Sequence, residues 1–531
     1  MLFNSYAFIF AFFPVVFLCY YFVGRTNHAL ALFVLAAASV FFYGWWDVRY
    51  VSLLLGSIAF NYAAGFLIGF QANTKATPPK LMLVAAIAIN IALLAYFKYA
   101  NFFVENINEL TGSKFSLAVA ILPLGISFFT FTQIAFLVDS YQGKVKEFHF
   151  LHYVLFVTFF PHLIAGPVLH HAEIMPQFAS RSVCRISWDN LAAGLSIFIL
   201  GLAKKVLLAD WAAEFSNPVF DALNACSQPM LFEAWVGSLA FSLQLYFDFS
   251  AYCDMAIGLS LMFNVRLPLN FYSPYKATSI IEFWRCWNMT LSRFLRDYLY
   301  IPLGGNRSGP AKRYLNLMIT MLLGGFWHGA SWTFVIWGAL HGSYLLLNHG
   351  WRRLKLKLGW GDGGRIGTFV AGVLTFLAVV VGWVFFRADG WAPAVAMLRG
   401  MAGLNGVTLS RSMQEIVVPL FSSSPWLVFQ GFGPFNSVKV LVFFGLGFAI
   451  VWLMPNIYQM FQRFRPVYDD VENDDRIDRG NQSVASASET VFSTNLIRWR
   501  PTGIWVVIVS IFGVLAITLL GRTSVFLYFQ F

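Results

Sequence analysis

The chain has 531 residues, of which 58% are hydrophobic and only 11% are charged. A soluble domain carries about 25% charged residues, so the composition excludes an ordinary soluble protein and predicts an all-α integral membrane protein. The formal net charge of +11 comes from short runs of Lys and Arg between apolar segments. Because cytoplasmic loops of membrane proteins are rich in these residues, topology accounts for the basicity and we expect no nucleic-acid partner.

Motifs for disulfides, metals and hydrolases are missing from the sequence. The five cysteines are odd in number, scattered, and without CxxC spacing, so neither a disulfide framework nor a zinc site is predicted. GGNR (Gly304–Arg307) lacks the spacing of a phosphate-binding loop, and there is no GxSxG or HExxH segment. We therefore predict no bound metal or cofactor, and neither a hydrolase nor a metalloprotease.

Apolar runs long enough to cross a membrane, about 20 residues each, recur from end to end. The amino terminus lacks a basic region and a cleavage site, so we expect it to remain as the first span. With the central stretch described below, we expect about 11–13 transmembrane or re-entrant helices in one domain over 1–531, with a catalytic core at about 115–390. The predicted spans are Ser5–Gly24, His28–Trp46, Tyr50–Phe70, Leu81–Tyr99, Phe115–Leu137, Phe150–Leu169, Asn190–Trp211, Leu231–Phe263, Thr368–Phe386, Val438–Met454 and Gly503–Leu520.

Two of these spans have unusual features. Pro161, Gly166 and Pro167 interrupt the span that begins at Phe150, which predicts a broken or re-entrant segment. The span that begins at Leu231 carries Asp248 and Asp254 in SLQLYFDFSAYCDMAIG. These carboxylates either coordinate a cation or line a channel, or they bond to backbone or to a nearby Arg at a helix end.

Polar segments also separate the later spans. Trp351–Arg365 is strongly basic and is expected on the cytoplasmic side. At about 466–490 the chain is acidic and then rich in Ser and Ala. This composition has too little apolar surface to order itself, so we expect a mobile loop there.

The stretch Glu282–Gly342 places Arg, Asn, Asp and His among Trp, Phe and Leu. An ionisable side chain in such apolar surroundings is costly to hold in lipid, so it usually faces a cavity or a partner. This stretch is therefore the first candidate for a functional site.

His328 lies in LLGGFWHGASW, where Gly324, Gly325 and Gly329 allow close backbone approach and Trp327 and Trp332 are expected to enclose the site. Imidazole titrates near neutral pH and is able to take a proton from an attacking hydroxyl. The structural alternative is a histidine satisfied by a backbone carbonyl. The same two interpretations apply to His341, with the structural one favoured because no other polar residue is adjacent.

Asn288 lies in FWRCWNMTLS, forty positions before His328. An amide both donates and accepts hydrogen bonds, so Asn288 is suited to hold a hydroxyl or a carbonyl beside His328, but not to act as a base. Arg293 and Asp297 are four positions apart and are expected to pair if this segment is helical.

Long motifs in one order resemble the membrane-bound O-acyltransferases, specifically their bacterial alginate O-acetylase-like branch. The segments that carry the resemblance are PLGISFFTFTQIAFLVDSYQGK, FFPHLIAGPV, YFDFSAYCDMAIGL, FWRCWNMTLSRFLRDYLYIPLGGNR, LLGGFWHGASWTFVIWGALHG, GWVFFRA and FLYFQF. Alginate-type members usually have a second histidine where this chain has Asn288.

The resemblance implies a multi-helix fold around a central tunnel, with His328 as the catalytic residue. Asn288, which stands in the place of the second histidine, is expected to orient the hydroxyl or the thioester carbonyl. It also implies transfer of an acetyl group, with acetyl-CoA as donor, across the bacterial inner membrane to an exported polysaccharide such as alginate or cellulose. The expected partners are membrane lipid, a periplasmic acetyltransferase and a polysaccharide synthase or export complex. Candidate tunnel-lining residues are Trp284, Arg285, Trp287, Arg296, Asp297, Trp327, Trp332 and Asp248.

Two rival functions stay open at this point. Peptidoglycan O-acetylation is the alternative enzyme activity. A non-catalytic transport subunit of a polysaccharide export complex is the alternative of another class. That second rival fits the spans and the buried carboxylates, but not the clustering of Trp, Gly and His around His328.

Overall fold

The computed structural model describes residues 1–73, 79–117, 122–307, 309–361, 363–409, 427–429, 438–468, 497–522 and 526–527. These residues are almost entirely helical, which confirms the predicted all-α class. The two short strands that they include, Val407–Leu409 and Leu427–Phe429, pair in parallel with Val407 opposite Leu427. The segment at 466–490, predicted to be mobile, lies almost wholly outside the described residues.

The described part of the chain contains twenty α-helices, numbered here in chain order. They are α1 Phe13–Gly24, α2 His28–Gly44, α3 Arg49–Asn73, α4 Lys80–Leu94, α5 Ala100–Thr111, α6 Ile126–Tyr141, α7 Phe150–Thr158, α8 His171–Ala179, α9 Trp188–Ala203, α10 Asp210–Asn224, α11 Leu231–Met262, α12 Ile280–Cys286, α13 Met289–Leu295, α14 Gly309–His328, α15 Trp332–Leu358, α16 Gly364–Arg387, α17 Trp391–Met401, α18 Val438–Leu453, α19 Ile457–Phe461 and α20 Gly503–Leu519.

Wider π-helical turns and tighter 3₁₀ turns extend or join several of these helices. The π turns are Phe8–Phe12, Ala95–Tyr99, Lys204–Ala209 and Arg296–Tyr300, and the 3₁₀ turns are Arg181–Cys184, Pro274–Lys276, Gln462–Phe464 and Leu520–Arg522. The π turn Ala95–Tyr99 joins α4 to α5, and Lys204–Ala209 joins α9 to α10, so each pair forms one continuous apolar segment, while Phe8–Phe12 extends α1 at its start.

By length and composition, four helical segments in the described residues are able to cross a membrane, or five if the bent pair α18 and α19 is one span. The four are Arg49–Gln71, Lys80–Thr111, Trp188–Asn224 and Gly364–Arg387, and shorter apolar helices cover Phe8–Gly24, His28–Gly44 and Gly503–Leu519. The predicted number of 11–13 crossings exceeds these because many helices of the core are short, broken or polar.

Individual spans were predicted with mixed success. The segment from Phe150 is broken as expected: α7 ends at Thr158, and a run of turns and irregular chain that contains Pro161, Gly166 and Pro167 precedes α8. The span predicted to start at Phe115 was wrong in its first part, because α6 begins only at Ile126, just after Gly125 in a left-handed conformation. Proline at 123 and glycine at 125 favour a turn over a helix there.

Helix α11 is the centre of the packed helices. Of its 32 residues, those from Ala240 to Met262 are buried with a single interruption at Asp254, and the helix packs against α9, α10, α16 and α17. A helix that is apolar on all sides has to be surrounded by other helices or by lipid. Here protein surrounds it, so α11 forms the scaffold next to which the shorter helices α12 and α13 are placed.

Helices α14 and α15, which carry His328 and His341, cross at very short distance. A Cβ atom added at Gly325 would lie 2.3 Å from the carbonyl oxygen of Phe334, and one at Gly338 would lie 2.4 Å from that of Met321. Both positions therefore need glycine, since any side chain would separate the two helices. This close crossing determines the relative positions of the two histidines.

Candidate functional site

His328 is the last residue of α14, and its side chain is buried, with 5% of its surface exposed. The ring centroids of Trp327, Trp337 and Phe386 lie 4.9, 5.1 and 5.1 Å from that of His328. The imidazole is thus held by large aromatic rings from three different segments of the chain. Such a surrounding excludes water and limits the rotation of the ring.

These rings belong to a larger group of contacting side chains, which we call the aromatic cluster. It consists of Phe283, Trp284, Trp287, Trp337, Trp383 and Phe386. Trp287 lies 4.9 Å from Trp383, which in turn lies 5.4 Å from Phe386. The cluster therefore connects α12, which precedes Asn288, to the helix that carries His328. Two of the sequence-predicted tunnel residues, Trp284 and Trp287, are part of it.

His341 is in contact with Trp337, the same ring that contacts His328. The Trp337 ring centroid is 5.1 Å from His328 and 4.7 Å from His341. His341 is fully buried, and neither ring nitrogen has a hydrogen-bond partner among the described residues. The expectation of a histidine satisfied by backbone was therefore wrong for His341, and the aromatic cluster contacts both histidines.

Lys98 holds the end of α14 that carries His328. Its ammonium donates to the carbonyl oxygens of Trp327 at 2.7 Å and of His328 at 2.9 Å, and the Tyr99 hydroxyl donates to that of Phe326 at 3.0 Å. The last carbonyls of a helix have no partner within the helix and carry a partial negative charge. A cation placed there satisfies them and fixes the last turn.

Sequence reasoning missed Lys98, although a signal was present. It is the only charged residue between Lys80 and Glu105. A single cation within an apolar segment marks a functional or structural partner, but the partner itself is 229 positions away and is visible only in the fold.

Asn288 lies between α12 and α13 in the left-handed conformation, with φ 44°, and is 2% exposed. Its amide nitrogen has no hydrogen-bond partner among the described residues. Asparagine tolerates this backbone conformation better than most residues. The structure thus buries Asn288 beside the aromatic cluster, but it shows no hydrogen bond between its amide and His328, so their expected cooperation stays a prediction.

Of the two tryptophans expected to enclose His328, only Trp327 lies against it. Trp327 contacts the His328 ring directly. Trp332 is 59% exposed, packs against Phe102 and donates to the Asn106 side chain at 2.9 Å. The prediction that Trp332 encloses the site was wrong, because the chain turns at Gly329 and directs this indole outward.

The charged residues of the central stretch also pair differently from the expected pattern. Arg293 forms a bidentate pair with Glu173 of α8, whereas Asp297 pairs with its neighbour Arg296 at 2.7 Å. The predicted Arg293–Asp297 pair was wrong, since the chain changes from α13 to a π turn at Arg296 and loses the helical spacing. Arg285 and Arg296 are exposed, so neither is buried beside His328.

Asp248 is 2% exposed and has two partners. Its carboxylate accepts from the backbone N–H of Leu527 at 2.8 Å and pairs with the Lys205 ammonium at 2.6 Å. Asp254 pairs with Lys204. The structure therefore supports the alternative in which these carboxylates bond to backbone and to a nearby cation, which is Lys rather than Arg.

A second cluster of polar side chains was not predicted from the sequence. Asp139 of α6, His170 and His171 at the start of α8, and Tyr298 of the π turn converge on one point. The adjacent histidines in VLHHAE and the aspartate that closes a span were each visible. Their closeness was not, because they come from segments separated by up to 159 positions.

The predicted central tunnel stays a prediction. One open recess of about 550 Å³ is lined by residues that do not contact His328, namely Ser187, Asp189, Asn190, Arg266, Arg463, Phe464, Arg465 and Pro501. The buried arrangement around His328 is nevertheless suited to acyl transfer. An imidazole shielded from water takes a proton from a hydroxyl without competition from hydrolysis.

Comparison with known proteins agrees with this chemistry. Residues 82–386 match the model of the MBOAT, membrane-bound O-acyltransferase family. This range includes Lys98, Asn288, His328, His341 and Phe386, so the whole site described above lies within it.

Curated relatives resemble the chain over most of its length. A peptidoglycan O-acetyltransferase of Helicobacter pylori is 45% identical over 442 residues, which cover 78% of this chain and 82% of the relative. A probable alginate O-acetylase of Pseudomonas aeruginosa is 42% identical over 406 residues, covering 76% and 75%. A teichoic acid D-alanyltransferase of Streptococcus thermophilus is 28% identical over 243 residues, covering 44% and 58%.

These relatives are acyltransferases that differ in the acyl group and in the acceptor that their names give. Together with the matched family model, this similarity shows that the chain belongs to the membrane-bound O-acyltransferase family and is an O-acyltransferase.

Proposed function

We propose that this protein transfers an acetyl group from acetyl-CoA, across the bacterial inner membrane, for the O-acetylation of an exported polysaccharide. The observation that carries the proposal is the buried imidazole of His328, held between Trp327, Trp337 and Phe386 at the end of α14. Relatives at 45% and 42% identity, a peptidoglycan O-acetyltransferase and a probable alginate O-acetylase, support acetyl as the acyl group.

In the proposed reaction, His328 takes the proton of the acceptor hydroxyl while its oxygen attacks the thioester carbonyl of the donor. A carbon–oxygen bond forms, the carbon–sulfur bond breaks, and the proton passes from His328 to the departing thiolate. The products are an acetyl ester and CoA. A positioned general base contributes about 10²–10⁴ to the rate of such a step.

Asn288 is proposed to orient the hydroxyl or the thioester carbonyl. Its buried amide nitrogen, which has no hydrogen-bond partner among the described residues, is a donor available for a substrate oxygen. A buried polar group without a partner is unfavourable by about 1–3 kcal/mol. Substrate binding removes this penalty, which is a physical reason to retain an amide at this position.

The acceptor is proposed to be an exported polysaccharide of the alginate or cellulose type. Peptidoglycan is the second candidate, because the relative from Helicobacter pylori bears that name. Transfer proceeds either directly or through a periplasmic acetyltransferase that takes the acetyl group from this protein, in association with a synthase or export complex.

The test uses the full-length protein in lipid vesicles, with radiolabelled acetyl-CoA outside and oligosaccharides of alginate, cellulose or peptidoglycan supplied in separate reactions. We expect labelled ester on one acceptor class and a loss of about 10² or more in rate for His328→Gln. Glutamine is preferred to alanine because removal of a ring this deeply buried leaves a cavity and destabilises the fold.

His349→Gln on α15 is the matched control, since His349 is only partly buried and contacts Arg313 and Tyr314 instead of the aromatic cluster. It should retain the wild-type rate. Full transfer by His328→Gln at equal protein level would overturn the proposed role of His328. Absence of any labelled product from acetyl-CoA would overturn the proposed donor.

A further inference from the structure

Against the expectation of no bound metal drawn from the sequence, we propose that Asp139, His170 and His171 bind a zinc ion, with the Tyr298 hydroxyl at the fourth position. The three side chains come from the end of α6 and the start of α8, and each offers one ligand atom within 4.8 Å of the others. Tyr298 comes from the π turn Arg296–Tyr300. None of these residues takes part in the acyl-transfer chemistry proposed above, so the zinc site is independent of it.

The spacing of the ligand atoms suits a tetrahedral ion. The Asp139 Oδ2 atom lies 3.2 Å from His170 Nε2 and 3.3 Å from His171 Nδ1. Zinc binds histidine nitrogen and carboxylate oxygen at about 2.0–2.1 Å, so two ligands of a tetrahedral site lie about 3.3 Å apart. The Tyr298 hydroxyl is 2.7 Å from Asp139 Oδ2 and also contacts His170 Nε2.

Burial of the Asp139 carboxylate favours a cation as its ligand. Asp139 is fully buried, and its Oδ1 atom has no hydrogen-bond partner among the described residues. The Lys144 ammonium lies 3.8 Å from Asp139 Oδ1, and the Lys144 side chain is 61% exposed. An exposed partner at this distance contributes little, while a buried carboxylate requires a close positive charge or metal.

His171 supplies the second, independent indication. It is 6% exposed, and its Nδ1 atom has no hydrogen-bond partner in the described part of the chain. Although Nδ1 is 3.3 Å from Asp139 Oδ2, the two atoms are not aligned as a hydrogen bond. The His171 Nδ1 atom thus faces a carboxylate oxygen without an aligned hydrogen bond, and a metal ion between the two would bind both atoms.

The guanidinium of Arg293 does not oppose this assignment. Arg293 lies beside the cluster but forms a bidentate pair with the Glu173 carboxylate, which neutralises it. Two neutral imidazoles and one carboxylate form a typical ligand set for zinc, whereas magnesium and calcium prefer oxygen ligands alone. The ligand chemistry therefore favours a first-row transition metal, for which zinc is the ion proposed here, over magnesium and calcium.

A bound ion would connect α6, α8 and the π turn after α13. His170 and Tyr298 also line a small recess together with Thr290, Arg293 and Phe294. Because Thr290 lies two residues after Asn288, the ion would stabilise the segment that carries Asn288. We therefore expect zinc to raise the thermal stability of the protein.

The test titrates the purified, chelator-treated full chain with Zn²⁺ alone, measuring the metal content by mass spectrometry and the thermal unfolding in detergent. The wild type should bind one equivalent, with an unfolding temperature that rises with free zinc, as expected for an ion bound only by the folded state. Substitution by Co²⁺ should produce the visible absorption of a tetrahedral nitrogen and oxygen site.

Asp139→Asn and His170→Gln should weaken binding at least tenfold. His170→Gln is included because this ring is 25% exposed, so the variant should fold even if Asp139→Asn does not. The matched control is His152→Gln, since His152 pairs with Glu147 and stacks on His149 at 4.1 Å outside the cluster. A wild type that binds no zinc, equal binding by His170→Gln, or loss of zinc in His152→Gln would each overturn the assignment.

Discussion

Replacement of Lys98 by methionine tests whether the end of α14 has to be fixed for His328 to work. The Lys98 ammonium donates to the carbonyl oxygens of Trp327 at 2.7 Å and His328 at 2.9 Å, and it lies 5.7 Å from the centre of the Trp327 ring. Methionine fills nearly the same volume but donates no hydrogen bond. The substitution therefore removes both bonds without opening a cavity.

The expected loss of stability follows from these contacts. Each hydrogen bond from a charged donor contributes about 1.5–3 kcal/mol, so the two contribute about 3–6 kcal/mol. Relief from burying an ammonium group offsets several kcal/mol of this. We expect Lys98→Met to lower the free energy of unfolding by about 2 kcal/mol, together with a lower thermal unfolding temperature in detergent.

The effect on activity should be larger than that on stability. His328 is the terminal residue of the turn that Lys98 holds, and a displacement of about 1 Å in a reacting group reduces the rate by about 10². We expect a comparable fall in single-turnover transfer of labelled acetyl groups. Lys80→Met is the control, because Lys80 is exposed at the start of α4. A Lys98→Met protein with wild-type stability and rate would refute the reasoning.

Three further predictions follow from the packing. Glu173→Gln should lower the free energy of unfolding by about 3–5 kcal/mol, because it removes the buried carboxylate that pairs with Arg293. Arg296→Gln, which breaks an exposed pair with Asp297, should change the free energy of unfolding by less than about 1 kcal/mol. Equal effects of the two variants in chemical denaturation would contradict this prediction. Gly325→Ala should abolish folded protein in size-exclusion chromatography, because its Cβ would lie 2.3 Å from the Phe334 carbonyl oxygen, while Gly324→Ala, 3.1 Å from the Leu295 side chain, should fold. Asn288→Gly keeps the left-handed backbone and removes the side-chain amide, so this variant should fold but lose about 10²–10³ in transfer rate. Asn288→His should add a second ionisation to the pH–rate profile. Full activity of Asn288→Gly would show that the amide has only a structural role.

The sequence by itself determined the class of this protein and indicated where its candidate site lies. Helices with few charged residues and long apolar runs have to be surrounded by lipid or protein. This requirement does not depend on how the helices pack, so it can be read from the sequence. Proline and glycine act locally, so the break between α7 and α8 was predictable. The polar residues among tryptophans in Glu282–Gly342 indicated the region of His328 and Asn288, and the order of its motifs indicated the family.

Only the tertiary structure decided which partners these residues have. Lys98 donates a hydrogen bond to the end of α14, 229 positions away in the sequence. Arg293 pairs with Glu173 and not with Asp297. Asp139 lies beside His170, His171 and Tyr298. Local periodicity reports which side of a helix is apolar, but not which other helix covers it. Trp332 shows the same limit, since one turn at Gly329 directed it outward while Trp327, five positions earlier, remained against His328.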